Sequence, residues 1–469
     1  MSEAILTTPA ITQEDQQTKE WTPAKVIYVF LMAFNLLSHL WLQITGTGIN
    51  MPIYIWIPRI AAAALAIYLG KLWKDTGFRI LAVYTLLFSL RAAIPNPANI
   101  FTDDISESIL SALWLFAGCY GLARSLSSKQ IKLFFMIISL IWTAGMTCLC
   151  CFGIDAAWTG KIYNLAGNGF INLNGFRLNL FYVPTISAAI TGMTILAGII
   201  VIRNIKKRIG KILYTILLLP IVLTLCLSDT RTAYVGFSLG IGVFFFSEFY
   251  CYIQNKKQTA EKKTIRRLWI CGTVITIAIC IFIIFLIMQI TTAFNQLKLR
   301  GLIPRAYAEG SGKILISTRG FSGEKVFTGR EELWTKIFEY LNKNKNVFII
   351  GNTKLTPIIE FEDFYGHCHC LYLQVLLESG IPGLLLVVSF IIYTAINAIR
   401  AITNHRLPLW IRLLPGVFVF FLVPEIVECL LWLRASYAPM TTVFFISAGI
   451  LNTLVPKKPK KKSLPEPAV

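Results

Sequence analysis

Two histidines stand just before a long apolar run in the last quarter of the chain. The sequence reads GHCHCLYLQ at 366–374, which contains His367 and His369, and the apolar run continues through GIPG at 380–383. Histidine is the side chain whose ordinary pKa lies nearest neutrality, so it can accept a proton from a hydroxyl group at working pH. The chain has only 4 histidines, and two of them at this position predict a general base. The alternative is that both are interfacial loop residues without a chemical role.

Two cysteines, Cys368 and Cys370, alternate with these histidines. Four adjacent donors on one strand or turn point in diverging directions, whereas structural zinc sites use paired ligands at separated spacings. The sequence therefore predicts no metal site and no cofactor. Most of the other cysteines lie inside apolar segments, where cysteine behaves as a small hydrophobic residue.

The composition is that of an integral membrane protein. Of the 469 residues, 55% are hydrophobic and 14% are charged, whereas soluble domains carry about 25% charged residues. The net charge of +20 does not predict nucleic-acid binding, because the basic residues cluster in short loops between apolar runs and report topology. The polar N-terminal stretch lacks the basic-then-apolar order of a cleaved signal peptide, so we expect the first span to be retained.

Apolar runs long enough to cross a membrane recur along the whole chain. A spanning helix needs about 20 mostly apolar residues, and this criterion predicts an all-α polytopic protein. The predicted spans lie near 24–45, 52–72, 78–94, 106–125, 131–152, 180–202, 212–228, 231–252, 268–290, 371–399, 408–424 and 427–451. The last two are also open to interpretation as a re-entrant pair.

Basic residues occupy every second connection between these spans. The basic connections carry Lys71, Lys74, Arg124, Lys129, Arg203, Lys206, Lys256, Lys257, Arg400 and Arg406, and the tail carries Lys457–Lys462. The positive-inside rule then places these loops and both termini in the cytoplasm. The predicted organisation is a cytoplasmic tail (1–23), nine spans (24–290), an outer loop domain (291–370), three spans (371–452) and a basic cytoplasmic tail (453–469).

The outer loop domain is predicted to contain an amphipathic helix. Its apolar face would carry Leu333, Trp334, Ile337, Phe338 and Leu341, which recur at helical spacing. Thr328 and Glu331 are spaced as a capping box at its start.

Two arginines are predicted to begin helices on the outer side. Arg231 lies in the first turn of span eight, with Asp229 or Ser228 as N-cap, and Arg330 lies in the first turn of the amphipathic helix. Helix N-termini favour anions, and a guanidinium matches phosphate oxygens. Snorkelling to lipid headgroups is the alternative for Arg231. With the histidine, the two arginines suit a diphosphate leaving group and a hydroxyl nucleophile.

Taken together, these motifs resemble the O-antigen ligase family, which includes O-antigen polymerases and related oligosaccharyltransferases. The likeness is carried by SDTRTA at 228–233, GREELW at 329–334, HCLYLQ at 369–374 and GIPG at 380–383. The resemblance implies a metal-independent glycosyltransferase of the GT-C type in the bacterial inner membrane, with a periplasmic active site. Its partners would be membrane lipids, an undecaprenyl-diphosphate-linked glycan donor, and lipid A-core or a comparable acceptor.

The resemblance also implies roles for single residues. Arg231 and Arg330 would bind the diphosphate and His369 would deprotonate the acceptor hydroxyl; His369 is preferred to His367 because the family histidine is followed by x-x-Tyr/Phe-Leu. Further candidates for the site are His367, Arg177 and Tyr372. Independently of the resemblance, Arg91 and Arg434 lie at the outer ends of predicted spans and could add to the positive field, with Arg–Glu pairing within the bundle as the alternative. The chain departs from the family at Cys370, where asparagine is common. It also lacks the usual arginine of the preceding outer loop, for which Lys161 or Arg177 is a candidate substitute.

Several functions remain compatible with the sequence. An O-antigen polymerase shares the donor, the arginines and the fold, and a protein O-oligosaccharyltransferase belongs to the same family. Because one dominant outer loop directly precedes the histidine, a ligase is favoured over a polymerase. Twelve spans with a broken helix would also suit a secondary transporter, but the two halves differ in loop length and charge placement and show no inverted repeat.

Overall fold

The computed structural model describes residues 20–45, 53–94, 96–164, 170–174, 177–180, 184–257, 261–300, 330–352, 368–426, 429 and 439–455. Over these residues the chain is a bundle of α-helices with one small sheet. The helices are α1 (Pro23–Thr45), α2 (Ile53–Gly70), α3 (Thr76–Ala93), α4 (Asp103–Ala112), α5 (Leu122–Ser125), α6 (Ser128–Thr159), α7 (Pro184–Asn204), α8 (Arg208–Leu227), α9 (Arg231–Lys256), α10 (Lys262–Leu299), α11 (Arg330–Lys343), α12 (Lys345–Ile350), α13 (Leu371–Thr403), α14 (Leu409–Leu422) and α15 (Pro439–Leu454). Single 3₁₀ turns occupy Leu72–Lys74, Pro97–Phe101 and Pro424–Ile426, and a π-helical segment occupies Leu113–Cys119.

The helices confirm the predicted all-α polytopic fold. Within the described part of the chain, nine helical segments are long and apolar enough to cross a membrane: Thr76–Ala93, Ile105–Ser125, Ser128–Thr159, Thr185–Asn204, Arg208–Leu227, Arg231–Lys256, Lys262–Leu297, Leu371–Thr403 and Leu409–Ile426. Three shorter apolar helices are Pro23–Ser38, Ile55–Gly70 and Pro439–Leu454. Each of these twelve segments overlaps one of the twelve predicted spans, and they differ at their ends. Helix α10 continues to Leu299, past the predicted end of span nine at 290. In the described residues the last helix begins at Pro439, whereas the predicted span begins at 427.

The last two helices run in opposite directions. Near the start of α14, the carbonyl of Arg412 accepts a hydrogen bond from Ser247 Oγ at 3.1 Å, and the end of α14 lies beside Gly236. In α15, Asn452 Oδ1 accepts a hydrogen bond from Asn397 Nδ2 at 2.8 Å, close to the end of α13. Helix α14 therefore runs along α9 from the end of α9 towards its start, and α15 ends beside the end of α13. The choice between two full spans and a re-entrant pair stays a prediction.

The bundle has two chemically different ends. One end, called here the basic end, carries the connections with Arg124, Arg203 and Arg400. The opposite end, called the His369 end, carries the start of α9 and α13 and the helices α11 and α12. The positive-inside rule assigns the basic end to the cytoplasm, which is a prediction from charge.

A three-stranded antiparallel sheet lies at the His369 end between α6 and α7, and the sequence did not predict it. The strands are β1 (Tyr163–Asn164), β2 (Phe170–Asn174) and β3 (Arg177–Asn179), in the order β1-β2-β3. Ile171 and Leu178 are fully buried. Strands of two to five residues are too short to show the alternation from which a strand is recognised.

Small residues allow α9 and α14 to pack closely. A Cβ atom on Gly236 would lie 2.8 Å from the Phe420 carbonyl oxygen, and one on Gly240 would lie 2.9 Å from that of Gly416. Close approach through glycines is a common way for membrane helices to associate. Because this contact is backbone to backbone, the start of α9 is held tightly against the end of α14.

A buried polar cluster joins α3, α5 and the turn before α5 at the basic end. Asp75 is 4% exposed; its carboxylate caps α3 by accepting from Phe78 N at 3.0 Å and also accepts from Tyr120 OH at 2.6 Å. Arg124 Nη1 completes the cluster at 3.2 Å from the same carboxylate. Hydrogen bonds to a charged group are worth more than neutral ones, so this cluster fixes α3 against α5, which contains Arg124, and against the turn before α5, which contains Tyr120.

The replacement Tyr120→Phe should destabilise the protein. It removes one donor from a buried carboxylate, and a hydrogen bond to a charged group is worth about 1.5–3 kcal/mol. Thermal unfolding of the purified protein in detergent should show a lower midpoint. Tyr68→Phe is the matched control, because Tyr68 is 73% exposed; equal midpoints for the two variants would contradict the role of the cluster.

Candidate functional site

His369 occupies a strained position directly before α13. Its φ is +48°, in the left-handed region, which few residues other than glycine adopt although histidine does so more often than most. The side chain is half-buried, and its neighbours Cys368 and Cys370 are buried. Left-handed backbone costs energy and persists where surrounding contacts hold it, and such positions cluster at functional sites.

The backbone of Cys368, the residue before His369, is held on both sides. The carbonyl accepts a hydrogen bond from Trp334 Nε1 at 3.0 Å, and the N–H donates to Gln374 Oε1 at 3.1 Å. Gln374 Nε2 in turn donates to Glu378 Oε1 at 2.6 Å. Because both polar backbone groups of Cys368 are engaged, the adjacent His369 has little freedom to change its backbone conformation.

The two thiols beside His369 are kept in their neutral form. Burial raises the pKa of Cys368, and the nearby Glu378 carboxylate raises it further. Burial also raises the pKa of Cys370. A thiol must lose its proton to act as a nucleophile or a metal ligand, so neither role is favoured for these two side chains. Among the described residues, no three His, Cys, Asp or Glu side chains come together as a metal site.

Helix α11 packs directly against the segment that carries His369. Leu333, Ile337 and Leu341 are buried, which agrees with the predicted apolar face, whereas Phe338 is 50% exposed and that part of the prediction is wrong. The buried stripe is narrow because it follows i, i+4 spacing, and Phe338 lies beside it. We call this packing the α11 cluster; its buried members are Leu333, Ile337, Leu341, Cys368, Leu376 and Leu377.

Arg330 begins α11 and is thereby brought to the neighbourhood of His369. It stands one helical turn before Trp334, and residues four apart on a helix have Cβ atoms about 5–6 Å apart. Trp334 bonds to Cys368, which precedes His369. The two predicted site residues therefore lie on two segments in direct contact. Thr328, the first residue of the predicted capping box, lies outside the described residues.

Arg231 lies at the tight corner between α8 and α9. Asp229 adopts a φ of +45°, and Thr230, in extended conformation, is the N-cap of α9. The predicted N-cap, Asp229 or Ser228, is therefore wrong by one or two positions. The connection between α8 and α9 is the three residues 228–230, and its middle residue Asp229 has a positive φ, so Asp229 cannot also supply the extended backbone of an N-cap. Arg231 itself is in the first turn, as predicted.

Hydrogen bonds fasten this corner to the neighbouring helix α10. The carbonyl oxygen of Cys226 accepts from Tyr234 OH at 2.8 Å and from Thr291 Oγ1 at 2.7 Å. All three residues are buried. The last turn of α8, the first turn of α9 and the C-terminal part of α10 thus meet at one carbonyl group, which holds the start of α9 rigidly.

The turn Pro424–Ile426 connects the Arg231 corner to the His369 segment. It contacts both α9 and α13, and a Cβ on Gly236, near the start of α9, would lie 3.3 Å from Pro424. Glu425 in this turn is fully buried, and its carboxylate contributes to the raised pKa of Cys370. Helices α9, α11 and α13 therefore all begin at the His369 end. Their positive dipole ends favour an anion there.

Helix α13 is broken at Gly380, where φ is +64° and ψ is −166°. The short helix α12 ends against this break. A Cβ on Gly380 would lie 2.4 Å from the Ile349 carbonyl oxygen, and one on Gly351 would lie 2.4 Å from the Glu378 carbonyl oxygen. The break separates a half-helix, residues 371–379, from the rest of α13. It thereby sets the half-helix that follows His369 at its own angle.

Arg91 lies at this break. Its Nε donates to the Gly351 carbonyl at 3.3 Å, so it holds the end of α12, and its predicted part in the diphosphate site stays a prediction. Tyr372 lies in the first turn of α13, half-buried, with Cys370 and Glu425 as electrostatic neighbours. Arg177 begins β3, but its side chain is outside what the structure describes. His367 and Arg434 also lie outside the described residues.

Sequence reasoning missed the residues that support the site. Trp334 and Gln374 stand inside the quoted motifs, yet their bonds to Cys368 were not predicted. Gln374 and Glu378 are four residues apart, a spacing that brings helical side chains together, and this was the available signal. Glu425 stands in an apolar run, where an acidic residue is costly in a membrane and marks a polar interior, so a signal was available for it too.

The replacement Gly380→Ala should disrupt the contact between α12 and α13. The backbone there is one that residues with a Cβ strongly avoid, and the added atom would collide with a backbone oxygen. Hydrogen exchange of residues 345–351 should become faster, and thermal stability in detergent should fall. Ser389→Ala on the same helix is the control, because Ser389 is exposed. Unchanged exchange in Gly380→Ala would show that the break is not held by this contact.

Comparison with known proteins locates a family in this region. Residues 213–388 match the family model described as O-Antigen ligase. The matched stretch contains Arg231, Arg330 and His369 together with the broken part of α13. No curated protein matches the chain. The match confirms the resemblance drawn from the motifs, over residues 213–388.

Proposed function

We propose that this protein is an O-antigen ligase-like glycosyltransferase that moves a glycan from undecaprenyl diphosphate to a hydroxyl group of lipid A-core or a comparable acceptor. The family match supports a function of the O-antigen ligase or polymerase kind. The observation that most supports the proposed catalytic roles of Arg330 and His369 is the hydrogen bond from Trp334 to the Cys368 carbonyl. It connects the helix that Arg330 begins to the residue before His369, so a cation and a base share one region.

The leaving group would be bound by positive charge at the His369 end. A glycosyl diphosphate is already activated, so the protein must hold and neutralise the charge that develops as it departs. Arg231 and Arg330 each begin a helix, so a guanidinium fork and the N-terminus of a helix, both of which favour phosphate oxygens, occur at the same place. The N-terminus of α13 adds a third positive dipole end. In this proposal the arginines supply the field without a metal ion.

His369 would act as the base on the acceptor. Its imidazole takes the proton of the acceptor hydroxyl as the oxygen attacks the anomeric carbon of the donor glycan. The bond between that carbon and the diphosphate oxygen breaks, and undecaprenyl diphosphate leaves with its electron pair. The proton then passes from the imidazolium to water. The restrained backbone at Cys368 would keep the imidazole oriented, which lowers the entropic cost of reaching the reactive geometry.

The proposed site would face the periplasm. The basic connections lie at the opposite end of the bundle, and the positive-inside rule assigns that end to the cytoplasm. A lipid-linked donor in the outer leaflet of the inner membrane would then present its diphosphate at the level where α9, α11 and α13 begin. We propose a GT-C type arrangement on this basis, with Tyr372 and Arg177 as further candidates for contacts to substrate.

The variants His369→Ala, Arg231→Ala and Arg330→Ala should each abolish glycan transfer while the protein still inserts and folds. The first removes the base, and the other two remove charge from the diphosphate site. The measurement is product formation by purified protein from a defined lipid-linked donor and an acceptor, with thermal stability recorded alongside. His405→Ala and Arg406→Ala are matched controls, since both residues are exposed near the basic end and should be fully active.

The product of this assay also separates the family alternatives. Glycan attached to lipid A-core indicates a ligase, whereas repeat units joined to one another on the lipid carrier indicate a polymerase. Full activity of His369→Ala would remove the assignment of the base. Transport of donor without any new glycosidic bond would reject the enzyme altogether.

Trp334→Phe should lower kcat with little effect on the KM for the lipid-linked donor. The change keeps an aromatic ring in the α11 cluster but removes the N–H that bonds to Cys368. A lost hydrogen bond of about 0.5–1.5 kcal/mol corresponds, if it is lost fully in the transition state, to a decrease of roughly twofold to thirteenfold in rate. Trp158→Phe is the control, because Trp158 is 57% exposed. A variant that loses thermal stability but keeps its kcat would show that the bond is structural only.

A further inference from the structure

Helix α12 presents three consecutive large apolar side chains on the outside of the protein. Phe348, Ile349 and Ile350 are 39%, 52% and 46% exposed, and none of the six residues of this helix is buried. Nothing in the catalytic proposal uses these side chains. An exposed apolar cluster of this kind usually marks a surface that contacts another apolar phase.

The position of α12 along the bundle is set by backbone contacts. Asn352 N donates to the Leu377 carbonyl at 2.8 Å, and the glycine contacts place Ile349 beside Gly380. The exposed side chains therefore lie at the level of the break in α13. They do not lie at the level of His369, which precedes that break by eleven positions.

This level coincides with the expected boundary of the hydrocarbon layer. Arg400 stands 20 positions after Gly380, which at 1.5 Å per residue is about 30 Å, the thickness of the hydrocarbon core. Helix α3 gives a similar level independently: Arg91, which bonds to Gly351, stands 16 positions after Asp75, or about 24 Å. Two helices that run in opposite directions thus place the end of α12 at the membrane surface.

The apolar cluster continues the lipid-facing side of α13. Below the break, α13 exposes a stripe at Leu385, Ile392, Ile396 and Ile399, with exposures of 60%, 54%, 44% and 61%. These residues recur at intervals of three, four and seven, as one face of a helix does. Because α12 packs on residues 377–380, just above this stripe, the two apolar surfaces adjoin.

Basic residues precede the apolar cluster. Lys343 and Lys345 are both exposed and stand immediately before the apolar part of α12. Aliphatic and aromatic side chains followed or preceded by lysine are typical of segments that lie in the interface between headgroups and acyl chains. Lysines at this depth would meet anionic headgroups.

We propose that α12 is a membrane anchor of the outer loop domain, in which Phe348, Ile349 and Ile350 insert at the boundary of the acyl chains and Lys343 and Lys345 bind anionic lipid headgroups. The anchor would fix α11 at a constant height above the bilayer. Arg330 and Trp334 belong to α11, so their distance from a lipid-borne substrate would be set by the membrane itself. This inference does not depend on which glycan or acceptor the protein uses.

Photocrosslinking of the full-length protein in nanodiscs tests the anchor. The variant Phe348→p-benzoylphenylalanine should yield lipid adducts on irradiation, detected by mass spectrometry of the peptide containing residues 345–352. The matched control places the same photoreactive residue at Thr335, which is exposed on α11 next to Trp334 and should give little or no lipid adduct. Adducts of position 348 with another part of this chain, or with a second copy, would overturn the proposal. Equal lipid labelling at both positions would also overturn it.

The lysines are tested in nanodiscs that contain phosphatidylglycerol and phosphatidylcholine in equal amounts. With the label at 348, adducts should be enriched in phosphatidylglycerol over its share of the lipid. In the background of Lys343→Gln and Lys345→Gln the ratio of phosphatidylglycerol adducts to phosphatidylcholine adducts should fall by up to about fivefold per lysine removed, while labelling of total lipid persists. Enrichment that is absent from the start, or that survives both replacements, would reject the headgroup contact.

Discussion

The backbone of Cys368 is the point on which the arrangement at the His369 end depends. Trp334 holds its carbonyl and Gln374 holds its N–H, so one residue connects α11, the half-helix of α13 and the left-handed turn at His369. Without these bonds, α11 would be joined to the bundle mainly by the apolar contacts of the α11 cluster, which fix distance but not orientation. Directional bonds are what convert this packing into a defined position for an imidazole.

The membrane fold was predictable from the sequence, because hydrophobic length is the strongest signal a chain contains. All twelve apolar runs became helices, and the break at Gly380 was marked by GIPG. The prediction that every second connection is basic also agrees with the structure, in which the basic connections lie together at one end of the bundle. The sheet at 163–179 was not predictable, since its strands are too short for periodicity and are formed by pairing between residues such as Asn174 and Arg177.

The candidate site was predictable only in part. Arg231 and Arg330 were placed correctly at the first turns of helices, because capping residues and apolar periodicity locate helix starts. The N-cap of α9 was predicted wrongly, because it depends on the geometry of the turn before the helix. The exposure of Phe338 was also predicted wrongly, because it depends on how wide a face of α11 the neighbouring helix covers. Trp334 and Gln374 each bond to the backbone of Cys368. The local sequence does not specify which of the many possible donors and acceptors will pair. Glu425 reaches the site only through the packing of α14 on α9.

The burial of Cys368 and Cys370 has a consequence for biogenesis. Exchange with a disulfide requires thiolate, and a shielded, protonated thiol reacts slowly. A segment with two cysteines that emerged into an oxidising compartment would be exposed to enzymes that introduce disulfides while the chain matures. Burial against α11 and the Glu378 carboxylate would remove Cys368 from that chemistry once folding is complete. Early packing of α11 would therefore protect the assembly from oxidative misfolding as well as shape it.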